Sequence, residues 1–213
     1  GYLPAAVLNY LLLLGWAPEG EQEIFSLDEM IKIWDPARIS KSPAIFDPLK
    51  LRAINAAYIR ALPAEEFRRL ADPFIDSAVH RDIDRDLLCA NLQPRCEVLE
   101  DIPPQLDFFD AVLPIDAEMY RNKKQKTDPE SAKEALSALL PMLEAQTDWN
   151  RDAIFEACKV LAEQMGKKNG WLLFPLGIAL SGKARTPGGG TDLAAMLGKP
   201  ETLNRVKAAL EKL

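Results

Sequence analysis

The sequence predicts an all-α protein made of helical bundle units in tandem, on three observations. Apolar residues recur at the spacing of one helix face in nearly every segment, helix-starting residues stand just ahead of those segments, and β-branched residues never alternate long enough for a strand. Residues 3–14 read as a strongly apolar helix closed by Gly15. Ser26 and Glu29 make a capping box ahead of Met30, Ile31 and Ile33, in which each side chain satisfies a backbone N–H of the first turn. Asp47 followed by Pro48 opens the next helix, because proline's fixed φ suits the first helical position, where its missing N–H is not needed. Leu51, Ile54, Tyr58 and Leu62 then share one face. The helix carrying Leu87, Leu88 and Leu92 must stop at Gln93, because Pro94 donates no hydrogen bond and disfavours helix in the residue before it. The same starting grammar recurs at Thr127-Asp-Pro-Glu130, at Asp148 before Trp149, and at Lys199-Pro200-Glu201. The apolar run Trp171-Leu-Leu-Phe-Pro-Leu-Gly-Ile-Ala-Leu-Ser181 reads as core.

A chain of 213 residues, 48% hydrophobic and 27% charged, is long enough for a packed core and too apolar to stay disordered. No apolar run approaches the roughly 18 residues of a membrane span, and no basic stretch leads into an export signal. A soluble, cytoplasmic monomer is expected. Gly1 as first residue implies a processed chain or a piece of something longer. Charge separates the two ends. Through residue 116 there are 11 Lys and Arg against 20 Asp and Glu; from residue 117 onward, 15 against 12. The basic residues gather in Arg121-Asn-Lys-Lys-Gln-Lys126 and from Lys159 through Lys167, Lys168 and Lys183 to Arg185, so an anion is expected there. Pro103-Pro104, Pro114 and the charged stretch after them mark a boundary near residue 117, and Leu62-Pro63 a weaker one. The expected divisions are residues 1–62, 63–116 and 117–213.

Little in the sequence supports catalysis. Three cysteines, Cys89, Cys96 and Cys158, have no CxxC spacing and are expected to be reduced, mostly buried thiols. His80, the one histidine, reads as a surface residue, so neither a metal set nor a nucleophilic triad can be assembled. Arg38-Ile-Ser-Lys-Ser42 superficially resembles the ATP-binding loop of class I aminoacyl-tRNA synthetases but lacks its strands and second histidine motif, and reads as a polar loop. Arg95 sits at or just past a helix end, where its guanidinium either faces a base edge or phosphate or neutralises the helix C-terminus. Lys183-Ala-Arg-Thr-Pro-Gly-Gly-Gly-Thr-Asp192 lets backbone amides approach a phosphate, with Lys183 and Arg185 as charges and Thr191 or Asp192 as cap for the next helix; the other reading is a flexible connection. Its spacing is not that of a P-loop.

Gly1-Tyr-Leu-Pro-Ala-Ala-Val-Leu-Asn-Tyr-Leu-Leu-Leu-Leu-Gly-Trp16, Ile24-Phe-Ser-Leu-Asp-Glu-Met30, Ser40-Lys-Ser-Pro-Ala-Ile-Phe-Asp47 and Asn55 with Tyr58-Ile-Arg60 resemble the segment of bacterial-type glutamyl-tRNA synthetases that follows their catalytic domain. Phe174-Pro-Leu-Gly-Ile-Ala-Leu-Ser-Gly182, Thr186-Pro-Gly188 and Leu197-Gly-Lys199 are similar to that family's C-terminal motif. The resemblance implies a stem-contact region at 1–62 and two anticodon-binding units at 63–116 and 117–213. It implies a parent ligase that uses ATP and Mg²⁺ on an upstream module, no cofactor in this part, and tRNA(Glu) as partner, with tRNA(Gln) left open. It places Arg95 at the last anticodon base and Thr186 in the anticodon pocket, with Lys183 and Arg185 as neighbouring charges. Gly177 departs from it, standing where the family usually has an arginine. The reading from a different class is a free-standing helical scaffold without tRNA specificity.

Overall fold

The computed structural model describes residues 1–41 and 43–213; Ser42, which ends the Arg38-Ile-Ser-Lys-Ser42 loop, lies outside them. Among the described residues, extended backbone pairs only at two isolated bridges, Trp16 with Ile39 and Asn122 with Thr127, and the all-α expectation holds. The helices are α1 (Pro4–Gly15), α2 (Leu27–Ile33), α3 (Pro48–Ala61), α4 (Ala64–Asp76), α5 (Arg85–Leu92), α6 (Pro129–Ala145), α7 (Arg151–Gln164), α8 (Asn169–Ser181), α9 (Gly190–Leu197) and α10 (Lys199–Leu210), joined in places by short 3-10 turns. No helix among the described residues is long and apolar enough to cross a membrane. Packing divides the chain into two compact units, Gly1–Phe74 with Leu92–Ile102, and Ile75–Asn91 with Pro103–Leu213.

Most helix starts follow the sequence signals. Ser26 Oγ accepts from Glu29 N at 3.2 Å while Glu29 Oε2 accepts from Ser26 N at 2.7 Å. Asp47 Oδ1 accepts from Leu49 N and Lys50 N. Before α6, Asp128 accepts from Ser131 N and Ser131 Oγ from Asp128 N, so the box closes on Ser131. One start differs: Asn150, not Asp148, caps α7, its Oδ1 accepting from Ala153 N at 2.9 Å. Both residue types cap equally well, and burial of Ile154, Cys158 and Ala162 on one face sets the register that chooses between them.

In the first unit α1 packs against α2 and α3. Two asparagines are fully buried there. Asn9 Oδ1 accepts from Phe25 N at 2.8 Å and from the Tyr58 hydroxyl at 2.9 Å, and its Nδ2 donates to Glu23 O at 2.8 Å. Asn55 Oδ1 accepts from Leu3 N at 2.8 Å and its Nδ2 donates to Glu97 O. Thus loops with few apolar residues are bound by amides. Asn9→Leu is expected to leave Phe25 N and Glu23 O orphaned, at about 1–3 kcal/mol for each group kept from water, and a fall in the urea midpoint followed by far-UV circular dichroism checks it. The segment around Arg38 is structural: Arg38 pairs with Glu19 at 3.1 Å and lies over the Trp16 ring, while Ser40 N donates to Gly15 O.

In the second unit α8 packs against α6, α7, α9 and α10. It has almost no polar side, burying Trp171, Leu172, Leu176, Ile178, Ala179 and Leu180, and a helix apolar all round must be enclosed. Arg205 is only 4% exposed. It donates to Phe108 O, Phe109 O and Leu180 O at 2.6–2.8 Å and to Glu201 Oε1 at 2.7 Å. The three thiols are buried; burial pushes Cys96 up to about 11 and Cys158 up to about 12, which favours their un-ionised form. His80 is exposed, its Nδ1 2.6 Å from Asp110 Oδ2.

Candidate nucleic-acid interface

Arg95 lies in the first unit. α5 ends at Leu92 and a 3-10 turn, Gln93–Arg95, follows, as Pro94 requires. Gln93 Nε2 donates to Ile59 O at 3.0 Å and Leu62 O at 2.8 Å. These carbonyls belong to the C-terminal end of α3, where Ile59 O also accepts from Leu62 N at 3.2 Å, and the Gln93 amide adds a cap that fastens the turn. Leu92 and Cys96, on either side, are buried. Arg95 is exposed and makes no hydrogen bond or ion pair with any described residue. By contrast Arg52, in the same unit, is committed, with Glu97 at 2.8 Å and with Asp101. Arg95 makes no hydrogen bond to the carbonyls at the end of α5, so in the other reading, a cation neutralising that helix end, it would act through its charge alone.

Lys183, Arg185 and Thr186 lie in the second unit. Gly182 ends α8 at φ 70°, its N–H donating to Ile178 O, and a Cβ there would sit 2.6 Å from Leu113 O. Only glycine meets both demands. Lys183 Nζ then donates to Pro104 O at 2.9 Å and pairs with Asp107. Arg185, two residues on, is exposed and bonds to no described residue. Thr186 is half-buried and its Oγ1 donates to Gly188 O at 2.6 Å, beside buried Pro187.

The triple-glycine turn is used differently from the phosphate cradle that its composition suggests. Asp192 Oδ2 accepts from Gly189 N at 2.7 Å, so a carboxylate already occupies that amide. A Cβ on Gly190 would lie 2.7 Å from Leu173 O and 3.1 Å from Gly177 N, so this glycine lets the start of α9 rest directly on the backbone of α8. Gly177, the departure from the family motif, faces that contact, and a Cβ on it would meet Gly190 at an ordinary 3.9 Å. Asp192 also approaches Arg151 Nε at 3.3 Å, and both line a cleft of about 580 Å³ with Asp84, Asn91 and Trp149. The sequence does not single out Gln93 or Asp107 as the residues that hold the site cations. Both act through carbonyls or charges distant in the chain, and no local pattern announces them.

A family model described as an anticodon binding domain matches residues 56–210. A second, described as the catalytic domain of class I (E and Q) tRNA synthetases, matches residues 1–53, a stretch that the sequence resemblance places after that domain. The glutamate–tRNA ligase of Clostridium botulinum strain Hall is 45% identical over 213 residues, covering all of this chain and 44% of that protein. That of Clostridium acetobutylicum is 44% identical over 214 residues, with the same coverage. A crystal structure of a glutamate tRNA ligase from Elizabethkingia meningosepticum, in complex with its amino acid, superposes with a TM-score of 0.86 at 29% identity, over all of this chain and 42% of that one. The chain spans less than half the length of the relatives it matches.

Proposed function

We propose that this chain, which belongs to the anticodon binding domain family, is the tRNA-gripping portion of a cytoplasmic, monomeric glutamate–tRNA ligase. Its residues 1–62 brace the tRNA stem, and residues 63–116 and 117–213 hold the anticodon loop. The observation that carries the reading is Arg95, which sits on a turn fastened by the Gln93 amide and whose guanidinium bonds to no described residue. A free arginine on a rigid turn suits a nucleic-acid base, because its planar fork matches the acceptor edge of a base. Anticodon bases are unpaired, so they can be splayed out and read on their Watson–Crick edges. Arg185 is an exposed cation of the second unit that bonds to no described residue, and Thr186 lines the turn next to it.

Among the described residues no three His, Cys, Asp or Glu side chains gather as metal ligands. In this reading ATP and Mg²⁺ are used by the part of the ligase that lies outside the matched length. No catalytic residue is assigned here. Whether tRNA(Gln) is also accepted turns on the anticodon pocket, where Gly177 offers no side-chain donor.

A filter-binding titration tests the reading. Labelled tRNA(Glu) is expected to be displaced more readily by tRNAs bearing the glutamate anticodon than by others; equal displacement by all would point to a scaffold without specificity. Lys183→Ala is expected to weaken every tRNA by about the same factor, because Lys183 ties the segment after α8 to Pro104 and Asp107. A change of ranking among tRNAs in that variant would instead make Lys183 a base reader.

A further inference from the structure

Eight of the seventeen basic side chains of the second unit have a carboxylate within ion-pair distance. Arg81 and Arg205 share Glu201, Arg85 meets Asp76, Arg121 meets Glu118, Arg151 meets Asp152 and Asp192, Lys159 meets Glu156, Lys183 meets Asp107, and Lys207 meets Glu144. Lys123, Lys124, Lys126, Lys167 and Lys168 do not. All five are exposed, and none pairs with a carboxylate of any described residue.

The fold gathers these five charges from two stretches more than forty positions apart. Asn122 and Thr127 exchange two backbone hydrogen bonds at 2.9 and 3.1 Å, and Asn122 Oδ1 accepts from Lys124 N and Gln125 N. The resulting turn carries Lys126 at φ 57°, the one non-glycine residue at positive φ among the described residues. It abuts the start of α8: the Gln125 carboxamide occupies the space that a Cβ on Gly170 would need, with Oε1 1.8 Å away. Lys167 and Lys168 immediately precede α8. Gly166 at φ 64° turns the chain out of α7, Lys167 N donates to Ala162 O, and Lys167 Nζ lies 4.7 Å from the centre of the Trp171 ring. Like charges brought near one another repel, a cost that an anionic partner removes.

We propose that Lys123, Lys124, Lys126, Lys167 and Lys168 form a single surface that takes the sugar–phosphate backbone of RNA. Lysine suits that role: its ammonium is a mobile point charge that matches phosphates without demanding a base edge. The surface supplies affinity, and Arg95 supplies selection. Naming RNA as the polyanion rests on the tRNA reading above.

The test uses the whole chain. A variant with Lys123→Gln, Lys124→Gln and Lys126→Asn, the asparagine chosen because it tolerates left-handed backbone, is compared with Lys167→Gln plus Lys168→Gln, after thermal melts confirm folding. Affinity for tRNA(Glu) and a non-cognate tRNA is measured over a series of salt concentrations. Each released phosphate contact lowers the slope of log affinity against log salt by about 0.7–0.9. The triple variant is therefore expected to flatten the slope by about 2–3 and the double by about 1–2, with the cognate to non-cognate ratio unchanged. Should wild type show no anticodon preference while the lysine variants still flatten the slope, the anticodon reading fails and this surface stands. Folded variants with unaltered slope and affinity overturn the surface, however Arg95 behaves. So does lysine-dependent binding to phosphatidylserine vesicles with no lysine dependence toward tRNA, which would make a lipid headgroup layer the partner.

Discussion

Arg95→Ala is expected to erase about 1–3 kcal/mol of discrimination at one anticodon base, or roughly 5- to 150-fold between matched and mismatched tRNAs. The melting temperature should barely move. Both expectations follow from the same fact: the guanidinium is exposed and bonded to no described residue, so its removal orphans no group among them. Competition binding with tRNAs that differ at a single anticodon position measures the first effect, and a thermal melt the second. Gln93→Ala makes an instructive contrast. It strips two acceptors at the end of α3 and frees the turn, so stability and discrimination should fall together. If Arg95→Ala instead weakened all tRNAs alike, the residue would be a phosphate contact.

Arg205→Met should produce the largest loss of stability, about 3–5 kcal/mol, as is usual when one partner of a buried charge pair is removed. Methionine fills the volume but leaves the carbonyls of Phe108, Phe109 and Leu180 without a donor and Glu201 short of a cation. Burial lowers the Arg205 guanidinium from its ordinary value, yet arginine remains charged wherever the protein is folded. Glu201 carries the pH dependence. The bond from Arg81, followed by that from Arg205, holds its carboxyl at about 2, against an ordinary 4.5. A folded-state value below the unfolded one means that the stabilisation is complete above about pH 4.5 and drains away as pH falls toward 2. Glu201→Gln should therefore flatten the urea midpoint against pH across that window while lowering stability at neutral pH. An acid limb as steep as that of wild type would show that other carboxylates govern acid unfolding.

Helix starts were legible wherever the signal lies within four residues. The Ser26 and Glu29 box, Asp47 with Pro48, and the stop at Pro94 are all local chemistry between side chains and their own backbone. At α7 the same reasoning reached the neighbourhood but missed the residue, because two capping residues stand two positions apart and the buried face decides between them. The site was legible in part. Arg95 could be placed at a helix end, but the Gln93 amide that fastens its turn reaches back over 31 and 34 positions, and nothing near Gln93 signals those partners. Composition misled at the triple glycine. Glycine permits both an open anion cradle and a close backbone crossing, and Asp192 together with the packing of α9 on α8 selects the crossing.

The sequence by itself determined that this chain is helical, where several of its helices begin, and that its later part is rich in basic residues, since propensity, capping and charge are properties of a residue and its near neighbours. Only the tertiary structure decided which cations remain available. Lys183 and Arg185 look equivalent in the chain, yet one is consumed by Asp107 and the other is not. Five lysines from two stretches acquire a common surface only when Gln125 seats against Gly170. The physical reason is that an ion pair needs its partner within a few ångströms, and long-range folding alone sets that distance.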